Sequence, residues 1–260
     1  MADDAPRLLV SLEDGVKRIT FNAPERRNAV DRTTTERLLE VVRETAQDQS
    51  KVVVLTGAGH SFCAGADLSA MKPGDGNVTD YLRRVVNPAI LALREMPKPV
   101  IARVHGHAVG IGCNYALAAD IRIASTEAKF GQVFSKIGLI PDGGSTYFLP
   151  RMIGYAKAFE WMATGAIIDA QQASQLGIVN AVVPVERLDA VVEDWCRRFQ
   201  GMATLAIAGI KRALSYGESH TLAEALDCEA VTQQICYDSA DFREGVAAFR
   251  EKRKAMFQGK

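Results

Sequence analysis

Two glycine-bracketed loops carry the residues best placed to do chemistry: Cys63-Ala64-Gly65-Ala66-Asp67-Leu68 and Gly106-His107-Ala108-Val109-Gly110-Ile111-Gly112-Cys113-Asn114. Each follows a run of β-branched and apolar residues. Two such loops can aim two backbone N–H groups at one oxygen, the hardware that stabilises an enolate. What remains is a side chain that moves the proton. Asp67 suits hydrogen bonds to loop amides better than reaction. His107 and Cys113 alternate with small apolar residues, as packing residues do. His60 and His105 read as structural, and His220 as a surface or capping residue. Asp142, in Pro141-Asp142-Gly143-Gly144, is on its own a common turn residue.

The elements that must hold these loops are legible from periodicity. Leu8 to Leu12 and Val16 to Phe21 alternate around Glu13-Asp14-Gly15, which predicts a β-hairpin. Leu38, Val41, Val42 and Ala46 predict a helix over Thr33 to Gln47, with Asp31 as N-cap. Strands are expected at Val52 to Gly57, Val100 to Gly106, Ile121 to Ala124 and Ile178 to Val183, and helices at Gly112 to Ala119 and Ala156 to Thr164. Near-continuous apolar strands alternating with helices imply largely parallel sheets buried on both faces. After Pro184 only helices are predicted: Leu188 to Phe199, Leu205 to Tyr216, Leu222 to Tyr237 and Phe242 to Met256. The expected division is a core over 1–195 and a helical region over 196–260. The turn-rich stretch Met71 to Asn77 directly follows the first loop, where it could cover a ligand.

Bulk properties exclude several classes of function. Lys+Arg and Asp+Glu number 31 each in 260 residues, so no global field draws the chain to nucleic acid or to an anionic membrane. The acidic N-terminus lacks the features of a signal peptide and no apolar run approaches a bilayer span, so a cytoplasmic protein is expected. Five scattered cysteines without CxxC spacing argue against disulfides and a zinc site, and no His/Asp/Glu spacing suggests any metal. Val52 to Gly59 runs a strand into G-x-G, but Phe62 stands where a dinucleotide fingerprint needs its third glycine.

Nearly the whole chain instead resembles the crotonase (enoyl-CoA hydratase/isomerase) superfamily. The resemblance rests on the order and spacing of Asn22-Ala23-Pro24 with Asn28-Ala29, Thr56-Gly57 with Phe62 to Leu68, and Lys98 to Ala102 with Gly106 to Asp120. It continues through Phe130-Gly131, Gly138 to Gly144, Ala173 to Val183 and Glu244 to Arg253. It implies an α/β fold, a spiral of ββα units with a C-terminal helical region, 196–260, that serves oligomerisation into a homotrimer or dimer of trimers. It implies an acyl-CoA substrate, with no cofactor beyond the coenzyme A that the substrate carries. By position, the oxyanion donors fall on the N–H groups of Ala66 and Ile111, and Gly110 and Gly112 permit the tight turn around Ile111 at the start of its helix.

The resemblance also implies that Arg26 and Arg27, with Ala64, Asp67 and Leu68, lie along the coenzyme A path. Lys254 and Phe257 match positions that reach a neighbouring subunit's ligand. Family hydratases use two glutamates, and here Asn114 and Phe134 stand in their places. Neither can take up a proton. Asp142 matches the acid of the isomerase branch, where one carboxylate suffices to move a double bond or to isomerise a ring epoxide of the phenylacetate-degradation type. The expected activity is therefore that of an enoyl-CoA isomerase. The alternatives are an enoyl-CoA hydratase and a non-catalytic acyl-CoA-binding member. The apolar groups at 147–149 and 158–162 are candidates for an acyl pocket wall or for ordinary core.

Overall fold

Asp14 and Gly15 both take positive φ, 48° and 76°, and this two-residue turn closes strands β1 (Leu8–Glu13) and β2 (Val16–Phe21) into the expected hairpin. The computed structural model describes residues 5–70 and 76–260. Most of the turn-rich stretch after the first glycine loop, 71–75, lies outside the described residues. From the hairpin the chain enters α1 (Arg32–Gln47), whose N-cap Asp31 accepts the Thr34 N–H at 2.8 Å. A cap of this kind stabilises by about 1 kcal/mol.

β3 (Val52–Gly57) is buried at every position. It is followed by the single turn α2 (Val78–Tyr81), a π-type stretch over Leu82–Val86 and α3 (Asn87–Arg94). Next come β4 (Val100–Val104), β5 (His107–Val109), α4 (Ile111–Ala118), β6 (Ile121–Ser125) and β7 (Lys129–Gly131). The chain continues through α5 (Ser145–Ile153), α6 (Tyr155–Thr164), β8 (Ile167–Asp169), α7 (Ala170–Gln175) and β9 (Ala181–Val183). Helices α8 (Val185–Gln200), α9 (Thr204–Gly217), α10 (Leu222–Tyr237) and α11 (Ala240–Glu251) form the C-terminal region.

One sheet has the order β1-β2-β3-β4-β6-β9 and is parallel apart from β1. Its faces divide by alternation, as a strand period of two requires. Val53, Leu55, Val100 and Ala102 join the main core with α1, α3 and α4, whereas Val52, Val54, Ile101 and Ile123 pack against Leu188, Val192 and Cys196 of α8. Because α8 runs across residue 195, the expected boundary between core and tail falls within a helix that seals the sheet. A second sheet, β5-β7-β8, has strands of three residues each.

Two expected ends move for local reasons. Gly177, at φ 74°, lets the Ile178 N–H fold back onto Ala173 O, so the last strand starts at Ala181 and not at Ile178. Lys252, at φ 53°, ends α11 at Glu251, well before Met256. No helix among the described residues is long and apolar enough to cross a membrane. α10 has no buried residue, and Leu222, Leu226, Val231 and Ile235 are each more than half exposed.

Candidate active site

The first glycine loop lies alongside β5 through one isolated parallel bridge, Cys63 with Ala108. Asn28 donates from Nδ2 to Ala58 O and Ser61 O at 2.8 and 2.6 Å, which turns the chain sharply after β3. Cys63 N–H then donates to His107 O and Cys63 O accepts the Val109 N–H, aligning the segment with β5. On the opposite side, Val30 N–H donates to Gly65 O and Asp67 N–H to Val30 O, both at 2.8 Å. These two bonds flank Ala66. In a parallel bridge the flanked residue turns its own N–H to the other side, so the Ala66 amide faces away from Val30.

The second loop lies directly on the first. Gly110, at φ 56°, is the N-cap of α4, and its N–H donates to Gly131 O at 2.8 Å. Gly65, at φ 108°, has so little room that a Cβ there would stand 3.0 Å from Val109 O and 3.9 Å from Gly110 Cα. Ile111 opens α4, and a first-turn amide has no intrahelical acceptor and sits at the positive end of the helix dipole. The Ala66 and Ile111 amides are therefore carried on abutting segments.

Asp142 is brought to the same place by the turn that precedes α5. Gly143, at φ 53°, fits so closely over α4 that a Cβ would meet Ile111 Cδ1 at 2.4 Å. The Asp142 main-chain O accepts Asn114 Nδ2 at 2.8 Å, Ser145 Oγ at 3.0 Å and Ser145 N–H at 3.2 Å. Its carboxylate, half-buried, takes no hydrogen bond or ion pair among the described residues. Burial alone pushes its pKa up to about 6 from the ordinary 3.8. Tyr81 lies close enough to feel its charge, which adds to the effect of burial in raising the phenol.

The two positions where the resemblance expects hydratase glutamates hold side chains that cannot transfer a proton. Asn114 is fully buried, with its amide bonded at both ends, to Asp142 O and to Gln132 Nε2. Phe134 is 8 % exposed and lies against Gly110, its ring 3.9 Å from where a Cβ would stand.

The comparisons with known proteins bear on this arrangement. Residues 11–260 match the family model described as enoyl-CoA hydratase/isomerase. The chain belongs to the enoyl-CoA hydratase/isomerase family. It is 39 % identical over 258 residues to 1,2-epoxyphenylacetyl-CoA isomerase of Escherichia coli K12, covering 97 % of this chain and 98 % of the relative. It is 34 % identical to short-chain-enoyl-CoA hydratase of Clostridium acetobutylicum, with 95 % of each covered. A crystal structure of enoyl-CoA hydratase from Bacillus anthracis superposes with a TM-score of 0.92 at 31 % identity, covering 98 % of this chain and all of that one. The crotonase-like spiral with its helical C-terminal region is thus the fold of this family member, and its relatives include both isomerases and hydratases.

The other expected site residues fall into two groups. Near the Ala66 segment, Asp67 accepts Ser69 Oγ at 2.5 Å, Ser69 N–H at 3.0 Å and Arg26 Nη1 at 2.8 Å, and the Ser69 and Arg26 bonds hold its carboxyl below the ordinary range. Ala64 N–H donates to Arg27 O, so Arg27 is fastened to the loop, and Leu68 is 54 % exposed beside it. Phe257 and Lys254 make no hydrogen bond or ion pair with this cluster among the described residues. Phe257 folds over Gly245 of α11 and lines a groove of about 1040 Å³ between α9, α10 and α11, and Lys254 is exposed. Cys113 is inert, its thiol pushed up to about 12 by burial, and His105 donates or accepts only within a bracket of Gly59 O and Arg103. Trp161, Phe148 and Leu149 belong to the core, whereas Phe159 is 60 % exposed. Gln132 and Ser145 were not legible as site residues. The available signal was Asn114 itself, a lone polar side chain in an otherwise apolar helix that must find partners.

Proposed function

We propose that this family member is an acyl-CoA isomerase that works through an enolate, shifting a double bond or isomerising a ring epoxide. The observation that carries this reading is the half-buried carboxylate of Asp142, in the turn whose Gly143 packs on Ile111, with Asn114 and Phe134 where hydration would need two acids. The thioester oxygen accepts the Ala66 and Ile111 N–H groups, which acidifies the C2 proton. The Asp142 carboxylate takes that proton, leaving a dienolate when the double bond lies between C3 and C4. The protonated Asp142 returns it at C4 and the bond comes to rest between C2 and C3, so one base serves both steps. The chemistry needs no cofactor, since the coenzyme A belongs to the substrate and backbone amides take the negative charge. The named activity of the E. coli relative supports the ring-epoxide variant of the same path. The hydratase names among the relatives support the second reading, water addition to a 2-enoyl-CoA.

Trans-3-hexenoyl-CoA and crotonyl-CoA separate the two. Isomerisation of the first, with C2 deuterium uptake from heavy water, is expected to exceed hydration of the second by about 10²-fold or more, the contribution of one general acid or base. Equal or faster hydration would sink the isomerase reading, and binding without any deuterium uptake would mark a non-catalytic member.

The pH profile checks the base directly. A base acts in its ionised form, and burial raises the pKa of Asp142, so kcat/KM should fall as pH drops through about 6. A limb near the ordinary carboxylate value of 3.8 would place the proton on a different, solvated group.

Arg26, Arg27, Ala64, Asp67, Leu68 and Gly110 are proposed to receive the coenzyme A and thioester portions in the same chain. Lys254 and Phe257 are proposed to serve a neighbouring subunit within a homotrimer or dimer of trimers. The exposed apolar side chains of α10 support such an assembly, because patches of this kind rarely stay in water. Sedimentation at micromolar concentration should give three or six chains, and a monomer would overturn the assembly.

A further inference from the structure

Helix α4 is buried along its whole length and is apolar except at Asn114, which is 0 % exposed, and the hydroxyl of Tyr115. The direction of its amide is dictated by its partners. The Asp142 main-chain O can only accept, so the Asn114 end that faces it at 2.8 Å must be the NH₂. That leaves Asn114 Oδ1 facing Gln132, whose NH₂ must therefore point at it, at 2.7 Å. Gln132 is also 0 % exposed, and this orientation leaves its own Oε1 buried without a hydrogen-bond partner among the described residues. Turning the Gln132 amide over would set two oxygens against each other. The chain thus keeps one buried acceptor unsatisfied so that Asn114 can donate to Asp142.

The two ends of Asp142 are treated in opposite ways. Its carbonyl takes three donors, from Asn114 and twice from Ser145, while its carboxylate takes none among the described residues. The backbone is fixed and the side chain is left to turn about χ1 and χ2. A carboxylate that must visit two carbons of one substrate needs both properties. The tie also runs to α4, the helix that begins with the Ile111 amide, and Gly143 seals the contact by lying against Ile111 and Asn114.

We propose that Asn114, oriented by Gln132, is a positioning residue that locks the Asp142 main chain to the oxyanion helix, so that proton carrier and oxyanion donor keep one geometry. The inference rests on the reading of Asp142 as the proton carrier. It assigns a function to the side chain that replaces the first hydratase glutamate.

The test uses trans-3-hexenoyl-CoA and the full-length protein. Asn114→Ala should lower kcat by about 10- to 100-fold, with KM changed less than about two-fold, because misplacement acts on the transition state more than on binding. The acid limb of its pH profile should move down toward the ordinary carboxylate range as the loosened carboxylate meets water. Gln132→Leu should give a smaller fall, and the double variant should be no slower than Asn114→Ala if Gln132 acts on the reaction through Asn114. If Asn114→Ala does not fold, near-isosteric Asn114→Asp carries the test: it sets an acceptor against Asp142 O, and should lower kcat while moving the acid limb up. Unchanged kcat in the folded variant, additive losses, or an unmoved limb would overturn the proposal. Loss of turnover in Asp142→Asn with unimpaired Asn114 variants would overturn the positioning role alone, whereas retained turnover in Asp142→Asn would remove the base and this inference with it.

Discussion

Asp142→Asn should lower kcat for trans-3-hexenoyl-CoA by about 10² to 10⁴-fold, the range of a lost general base, and leave the Kd for a saturated acyl-CoA nearly unchanged. The substitution is mild in every respect but one. Asn has the same shape, the main-chain O keeps its bonds to Asn114 and Ser145, and the carboxylate has no partner among the described residues to lose. Stability should move in the opposite direction from activity. The folded protein holds this carboxyl at about 6 against an ordinary 3.8, so it disfavours the charged form that the unfolded chain adopts freely. That destabilisation sets in as pH rises through the interval between the two values and is constant above it. Asp142→Asn removes it, so the variant should melt higher than the parent above pH 6 and equally below about pH 4. A variant that is slower and more stable is the mark of a group kept for chemistry. Retained turnover would end the assignment of Asp142.

The parts of this fold that were legible in the sequence are those with enough residues to show a period. The six-residue strands β1, β2 and β3, the sixteen-residue helix α1 with its Asp31 cap, and the four tail helices all declare themselves. β5, β7 and β8 do not, because three residues such as His107-Ala108-Val109 cannot display alternation. Their sheet exists through long-range pairing, which also recruits Cys63 and Val30 as isolated bridges. The site followed the same division. Gly110 and Gly112 beside Ile111 were visible as a tight turn entering a helix. Asn114 was visible only as a missing glutamate, since a residue's type says what it cannot do and its partners, Gln132 at 18 and Asp142 at 28 positions away, say what it does. The half-buried setting of Asp142 was equally hidden, because Pro-Asp-Gly is an ordinary turn wherever no helix packs beneath it.

Gly112→Ala should cost about 10²-fold in kcat although Gly112 carries no side chain and touches no expected substrate atom. A Cβ at this position would stand 2.2 Å from Cys63 O and 2.8 Å from Cys63 C, both backbone atoms of the segment that leads to Ala66. Backbone held by bonds to His107 and Val109 cannot yield easily, so the first turn of α4 must withdraw by about 1 Å to restore a normal contact. Ile111 N–H travels with α4 and Ala66 N–H stays with the Cys63 segment, so the withdrawal separates the two donors. A displacement of that size costs about 10²-fold, comparable with losing one oxyanion donor outright. Overpacking also destabilises by about 1–3 kcal/mol, and a control must separate the two effects. Gly154→Ala supplies it: Gly154 has φ 78°, which strains any side chain, but nothing within 4 Å for a Cβ to strike. Compared at a temperature where both variants are folded, Gly154→Ala should retain parental kcat and Gly112→Ala should not. If Gly112→Ala turns over at the parental rate, the spacing of α4 from the Cys63 segment is irrelevant to the reaction, and Ile111 N–H loses its place as an oxyanion donor.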